Sequence, residues 1–135
     1  MGRGNVLRAN VNSPTYAADY LDPRGTAEAY YPLPAVPYLK LSAVHDTDAG
    51  TLTLFALNRH LKDDMSVDFT TKGFAGLTVS KAHQLHDKNL QALNSAQKPD
   101  RIQPLPLREI TLEKSGLRAK LRSASWNVIQ LKEQK

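Results

Sequence analysis

Alternation of apolar and polar residues with a period of two is the feature that most constrains the fold of this chain. It is clearest in segments 39–43, 66–69 and 117–122, where apolar residues alternate with Lys, Arg, Ser or Asp. Because successive side chains of a strand point to opposite faces, these segments are typical of half-buried antiparallel strands. Segment 52–57 is apolar on both faces, which indicates a central strand whose outer face is also covered.

Turn sequences separate these segments. Residues 46–50 contain two Asp and a Gly, and residues 114–116 end in a Gly, which is typical of hairpin turns; residues 72–76 break the chain between two further strands. Residues 88–96 favour a structured loop over a helix because they contain two Asn and a Ser. The sequence therefore predicts an all-β fold, an antiparallel β-sandwich of jelly-roll type.

The amino-terminal region has a different composition. Five of the eight prolines and all five tyrosines fall between positions 14 and 38. Proline removes backbone donors and keeps its predecessor out of the helical region, so a long extended connection is predicted, with an opening strand within 6–11. We expect a single domain over 1–135, in which 1–38 form the entry strand and the Tyr/Pro-rich connection and 39–131 form the main sandwich.

Composition excludes several classes of protein. The chain has no cysteine, which rules out disulfides, thiolate metal sites and a cysteine nucleophile. No apolar run approaches a membrane span, and the first residues lack the apolar stretch of a secretory signal, so a cytoplasmic protein without membrane contact is expected. The net charge of +5 permits nucleic-acid binding, but the basic residues are scattered and those in 114–122 are typical of a solvated strand face. Nucleic-acid binding is therefore the weakest functional alternative.

No group of residues in the sequence suggests a catalytic centre. Hydrolysis by a pair of carboxyl groups, one as acid/base and one as nucleophile, needs the two groups about 5 Å apart. The chain has four glutamates; Glu109 and Glu113 lie in or beside a strand pattern and Glu133 lies near the end of the chain. His83 and His86 are three residues apart, so on a strand they point to opposite faces and do not share a metal ion. We expect no catalytic residue, no metal site and no cofactor.

The tyrosines are the best candidates for a binding surface. Aromatic rings stack on sugar rings, and four tyrosines of the proline-rich region would supply such a surface: Tyr16, Tyr20, Tyr30 and Tyr31. The same amphipathic side chains could instead fix a long connection to a sheet or to a neighbouring domain. The sequence leaves both interpretations open.

Several motifs resemble, in order and spacing, the carboxy-terminal domain of family 51 glycoside hydrolases, the α-L-arabinofuranosidases. The most specific are Asn89–Asn94, Pro99–Ile102 and Ser125–Ile129. Four further segments follow the same order: Gly2–Arg8, Ser13–Tyr16, Val36–Asp46 and Leu52–His60.

The resemblance implies a jelly-roll β-sandwich that packs on a separate catalytic (β/α)₈ barrel. In this family the acid/base and the nucleophile are barrel glutamates in Asn-Glu and Glu-Trp contexts, and neither dipeptide occurs in this chain. The chain is therefore expected to be inactive by itself. The parent would hydrolyse terminal α-L-arabinofuranosyl residues with retention, in L-arabinose metabolism, and this domain would brace the barrel and the subunit contacts of a homo-oligomer.

The resemblance also implies structural roles for four residues of the matching motifs. Asn94, Asp100 and Asn127 are expected to bond loop backbone through their side chains, and Trp126 is expected to be buried in the core.

Overall fold

The computed structural model describes residues 2–21 and 30–134, which form strands, turns and loops without a helix in those ranges. The strands in chain order are β1 (Asn5–Leu7), β2 (Thr15–Leu21), β3 (Tyr30–Pro37), β4 (Leu39–Asp46), β5 (Thr51–Asn58), β6 (Met65–Thr70), β7 (Leu77–Leu85), β8 (Leu105–Pro106), β9 (Ile110–Glu113), β10 (Gly116–Leu121) and β11 (Ser125–Glu133).

The strands form three antiparallel sheets. One has six strands in the order β1-β4-β5-β11-β7-β8, one has three in the order β6-β10-β9, and β2 and β3 form a two-stranded ribbon. The prediction of an all-β, antiparallel fold is confirmed. The jelly-roll connectivity and the domain boundaries remain predictions.

A single hydrophobic core joins the six-stranded and the three-stranded sheets. Alternate residues of β5 and β11 face alternate residues of β6 and β10 across it, as the period-two pattern requires. Its most buried apolar members include Leu54, Ala56, Ala119, Leu121, Ile129 and Leu131. Leu107, which follows β8, completes the core, and its amide donates to the carbonyl of Ala82 on β7.

Strand β5 is apolar on both faces, as predicted. Its inner residues Leu52, Leu54 and Ala56 are buried, whereas Phe55 and Leu57 on the outer face are half-buried. The outer face of the six-stranded sheet therefore carries apolar side chains that the described part of the chain covers incompletely.

The predicted hairpin turns are confirmed. Residues 47–50 join β4 to β5, and the carboxylate of Asp46 accepts the amides of Asp48 and Ala49. Residues 114–115 join β9 to β10, where Gly116 lies so close to the carbonyl of Phe69 that a Cβ atom would collide with it. This close approach explains why glycine occupies the position.

The Tyr/Pro-rich region is extended, but it is not a simple connection. Its two halves pair as the β2–β3 hairpin, with Thr15 opposite Pro37 and Leu21 opposite Tyr30. The prolines of β3 are compatible with pairing because a two-stranded ribbon has free outer edges, where no backbone donor is needed. The opening strand β1 is shorter than predicted and pairs with the second half of β4.

Candidate functional site

A buried polar network holds the corner where the chain passes from the three-stranded to the six-stranded sheet. Asn58, at the end of β5, is fully buried. Its Nδ2 donates to the carbonyls of Asp63, Leu121 and Arg122 at 3.1, 3.3 and 3.0 Å, and its Oδ1 accepts the amide of His60 at 2.9 Å. The hydrogen bonds of this one side chain therefore connect the loop after β5 to the end of β10.

Asn127 forms a second buried network on the inner face of β11. Its Nδ2 donates to the carbonyl of Ala56 at 3.2 Å and to Oγ of Ser125 at 2.9 Å. Its Oδ1 accepts Nε2 of Gln84 at 2.6 Å. Its main-chain partner thus lies in the neighbouring strand β5, and not in loop backbone as the resemblance implied.

The long loop 86–104 between β7 and β8 is organised by side-chain hydrogen bonds. Asn94 spans it, since its Nδ2 donates to the carbonyl of Ile102 at 3.1 Å and its Oδ1 accepts the amide of Ile102 at 2.7 Å. Asp100 contributes its main-chain carbonyl, which accepts Nε2 of Gln103 at 3.1 Å. Asp87 accepts the amide of Asn89 at 2.8 Å, which shapes the start of the loop.

The expected burial of Trp126 is wrong. Ser125, Asn127 and Ile129 occupy the inner face of β11, so the alternation of the strand places Trp126 on the outer face, where it is 47% exposed. The indole lies between Leu57 of β5 and Leu85 of β7 in the strand register. The sequence contains an indication of this orientation. Ile129 and Leu131 are apolar residues two apart that face the core, and Trp126 is an odd number of residues from both, so it lies on the opposite face of the strand.

Of the candidate tyrosines, the structure describes the surroundings of Tyr16. Its ring stands 4.7 Å from that of Tyr38, which in turn stands 4.6 Å from the ring of His60. The sequence does not reveal Tyr38 and His60 as partners of Tyr16, because contact between β2 and the end of β5 depends on long-range pairing. The side chains of Tyr20, Tyr30 and Tyr31 lie outside the described part of the structure.

The described glutamates lie apart from one another, each beside a basic side chain. Glu109 and Glu113 are exposed beside Lys120 and Arg118, at 3.7 and 4.0 Å, and Glu133 contacts Nε2 of His45 at 3.1 Å. Within residues 2–21 and 30–134, no group of three His, Asp or Glu side chains is arranged to hold a metal ion. Glu28 lies outside these ranges.

The outer face of the three-stranded sheet is charged on alternate residues. Arg118 on β10 donates to the carboxylate of Asp68 on β6 at 2.6 Å, and this hydrogen bond holds the pKa of Asp68 below its usual value. The same bond raises the pKa of Arg118. Both residues are exposed, as expected for a solvated face.

Exposed apolar side chains are concentrated at one end of the six-stranded sheet. We call it the Trp126 end; there the start of β11 lies beside the end of β5 and the end of β7. Among the residues whose burial the structure describes, nine large apolar residues are exposed, and six of them lie there or in the loops that leave it: Leu61, Leu85, Leu90, Leu93, Leu105 and Trp126. Such concentration is typical of a surface that another protein covers.

The described residues thus form an antiparallel β-sandwich whose smaller sheet has a charged outer face and whose larger sheet has an apolar end. The family described as the alpha-L-arabinofuranosidase C-terminal domain matches residues 1–125. The chain therefore belongs to the α-L-arabinofuranosidase C-terminal domain family.

Relatives of known name agree with this membership. Two intracellular exo-α-(1→5)-L-arabinofuranosidases are similar to the chain. The protein from Halalkalibacterium halodurans is 30% identical over 131 residues, which are 96% of this chain and 23% of the relative. The Bacillus subtilis protein, intracellular exo-α-(1→5)-L-arabinofuranosidase 1, is 28% identical over 134 residues, which are 98% of this chain and 24% of the relative. The chain thus spans about a quarter of the length of these relatives.

Solved structures share the fold. A family 51 α-L-arabinofuranosidase from Bifidobacterium longum superimposes with a TM-score of 0.77 at 24% identity, over 97% of this chain and 23% of that one. The α-L-arabinofuranosidase from Thermotoga maritima, solved with arabinose, gives a TM-score of 0.76 at 18% identity, over 96% and 26%. Among the described residues, no helix is long and apolar enough to cross a membrane.

Proposed function

We propose that this chain is the non-catalytic accessory domain of an α-L-arabinofuranosidase that acts in the cytoplasm on terminal α-L-arabinofuranosyl residues. The observation that carries the proposal is the match of residues 1–125 to a carboxy-terminal domain, together with a chain that spans about a quarter of its relatives. In the intact enzyme the domain braces a separate catalytic barrel and contributes to contacts between subunits.

The positions of the glutamates support the assignment of catalysis to another part of the parent enzyme. A retaining glycosidase needs one carboxyl group as acid/base and a second one, about 5 Å away, as nucleophile. The glutamates of the described residues instead pair with Lys120, Arg118 and His45 at different places on the sandwich. The hydrolytic step is therefore assigned to the part of the parent that this chain does not span.

The test is an activity assay on the 135-residue chain. Incubation with an aryl α-L-arabinofuranoside should release no phenol above the buffer rate. Reproducible turnover that disappears in Glu109→Gln or Glu113→Gln, with the fold preserved by circular dichroism, would overturn the assignment.

The exposed aromatic residues favour sugar binding as a second candidate function. Trp126 is 47% exposed on the sheet, and the ring of Tyr16 stacks on that of Tyr38. Aromatic faces of this kind can hold a furanose ring, and the tyrosines Tyr20, Tyr30 and Tyr31 belong to the same hairpin.

Fluorescence of the single tryptophan tests this candidate. Titration with arabino-oligosaccharide should shift its emission if the sugar stacks on Trp126, and Tyr16→Ala should then weaken the binding. If the emission spectrum stays unchanged and isothermal titration calorimetry detects no heat of binding up to high sugar concentration, the candidate is eliminated and the accessory role is unaffected.

A further inference from the structure

The two ends of the six-stranded sheet differ in what they can contact. At the Trp126 end, three segments leave the sheet together: the β2–β3 hairpin, the loop 59–64 and the loop 86–104. The base of the hairpin is fixed there, since the amide of Tyr38 donates to the carbonyl of Pro14 at 2.9 Å and the amide of Leu39 donates to Oγ of Ser13 at 3.0 Å.

The opposite end, which we call the Asp46 end, receives the chain from the rest of the enzyme. Gly4 lies against the backbone of His45, and Asn5 pairs with His45 at the start of β1. In an enzyme with this domain at its carboxy terminus, the catalytic part precedes β1 and joins here. The eight residues of β5 separate the two ends by about 23 Å, at roughly 3.3 Å per residue.

The leucines of the Trp126 end are held in place although they are exposed. Leu90 and Leu93 are 53% and 67% exposed, yet their loop is closed by the paired hydrogen bonds between Asn94 and Ile102. An ordered loop that holds leucines in water gains stability when a partner covers them, and its prior order reduces the entropy lost on binding.

The hairpin leads to the same conclusion. A two-stranded ribbon is marginally stable in water unless it packs on another element. Strands β2 and β3 pair with each other and, in the described part of the chain, with no third strand. A protein surface that covers the Trp126 end would also support the hairpin that projects from it.

We propose that the Trp126 end is the interface between two copies of this chain, related by a two-fold axis. The catalytic part joins at the Asp46 end, so the Trp126 end and its hairpin face away from that connection, toward a neighbouring subunit. An isologous contact places Trp126 and Leu93 of each copy against the same end of the other. This inference rests on the proposed role in subunit contacts and names the surface responsible.

Sedimentation of the 135-residue chain over a range of concentrations tests the proposal. We expect a monomer–dimer equilibrium that Trp126→Asp and Leu93→Asp each weaken by about tenfold or more, because each places a carboxylate in the apolar contact. Emission from Trp126 should shift to shorter wavelength as the dimer forms. Val6→Asp is the matched control: Val6 is 79% exposed on the edge strand β1, and this variant should dimerise like the wild type.

Three results would overturn the proposal. The first is a wild-type chain that stays monomeric into the high micromolar range. The second is a dimer that Val6→Asp dissociates and the Trp126 and Leu93 variants leave intact, which would assign the contact to the β1 edge. The third is a monomer that binds a separately produced catalytic fragment through Leu93, which would assign this end to the catalytic part.

Failure of the interface and failure of the proposed function are distinguishable. A monomeric chain without hydrolytic activity of its own overturns the two-fold contact only. A chain that dimerises through the Trp126 end but hydrolyses an arabinofuranoside alone overturns the accessory role and leaves the interface standing.

Discussion

Replacing Asn58 by alanine should be among the most destabilising single changes in this domain. The side chain is fully buried and makes four hydrogen bonds, all to main-chain atoms at the corner between the two sheets. Each such bond contributes roughly 1 kcal/mol net, and an acceptor left buried without a partner costs about 1–3 kcal/mol. The bond to the carbonyl of Leu121 is buried, and the other three are partly buried. We therefore expect Asn58→Ala to lower the free energy of unfolding by about 3–5 kcal/mol.

Urea unfolding followed by far-ultraviolet circular dichroism measures this loss. The midpoint should fall while the slope of the transition stays constant, since the surface exposed on unfolding barely changes. Asn94→Ala is the control: Asn94 also makes two hydrogen bonds to backbone, but at an exposed loop, and its loss should cost about 1 kcal/mol. If Asn58→Ala lowers the free energy of unfolding no more than Asn94→Ala does, water replaces the amide at the corner. That result would refute the stabilising role of the buried network.

Three further predictions concern stability and titration. Trp126→Ala should cost less than about 2 kcal/mol in urea unfolding because the ring is half exposed, whereas Ile129→Ala, at a fully buried position, should cost about 2–5 kcal/mol; equal losses would contradict the outward orientation of the indole. Gly116→Ala should lower the unfolding free energy by at least about 2 kcal/mol, because its Cβ would collide with a backbone carbonyl of β6, and a wild-type midpoint would contradict that close approach. The pKa of Asp68, followed by nuclear magnetic resonance, should lie below its usual value and return to it in Arg118→Gln. Since this pKa is lowered in the folded state, the stabilisation is present above the ordinary value and disappears as the pH falls through the lowered one; identical titrations in both proteins would contradict the hydrogen-bonded pair.

The strands and hairpin turns could be predicted because their signals are local. Alternation in 117–121 specifies which side chains of β10 face the core, and the Asp and Gly residues of 46–50 specify a turn. The double-faced apolar pattern of β5 likewise predicted a central strand. These features depend on neighbours within a few residues, which the sequence displays directly.

The pairing partners and the environment of Trp126 could not be predicted in the same way. The order of strands in a sheet depends on contacts between distant segments, such as β11 with β5, and alternation does not specify them. The size and hydrophobicity of Trp126 suggested that it is buried. The strand instead turns Ile129 and Leu131 toward the core, and this alternation places Trp126 on the outer face. The paired β2–β3 hairpin was missed because prolines suggest an unpaired connection and do not report the register that joins the two halves.

The accessory role is tested most directly by a chimeric enzyme. The Halalkalibacterium halodurans arabinofuranosidase, which is 30% identical to this chain over the matched region, is truncated before its own carboxy-terminal domain and joined to the present 135 residues. Hydrolysis of an aryl α-L-arabinofuranoside is measured for the truncated enzyme, the chimera and the intact enzyme at several temperatures. Truncation should abolish activity or heat resistance, and the chimera should restore a substantial part of it. A truncated enzyme as active and heat-resistant as the intact one would contradict the claim that such a domain braces the catalytic part.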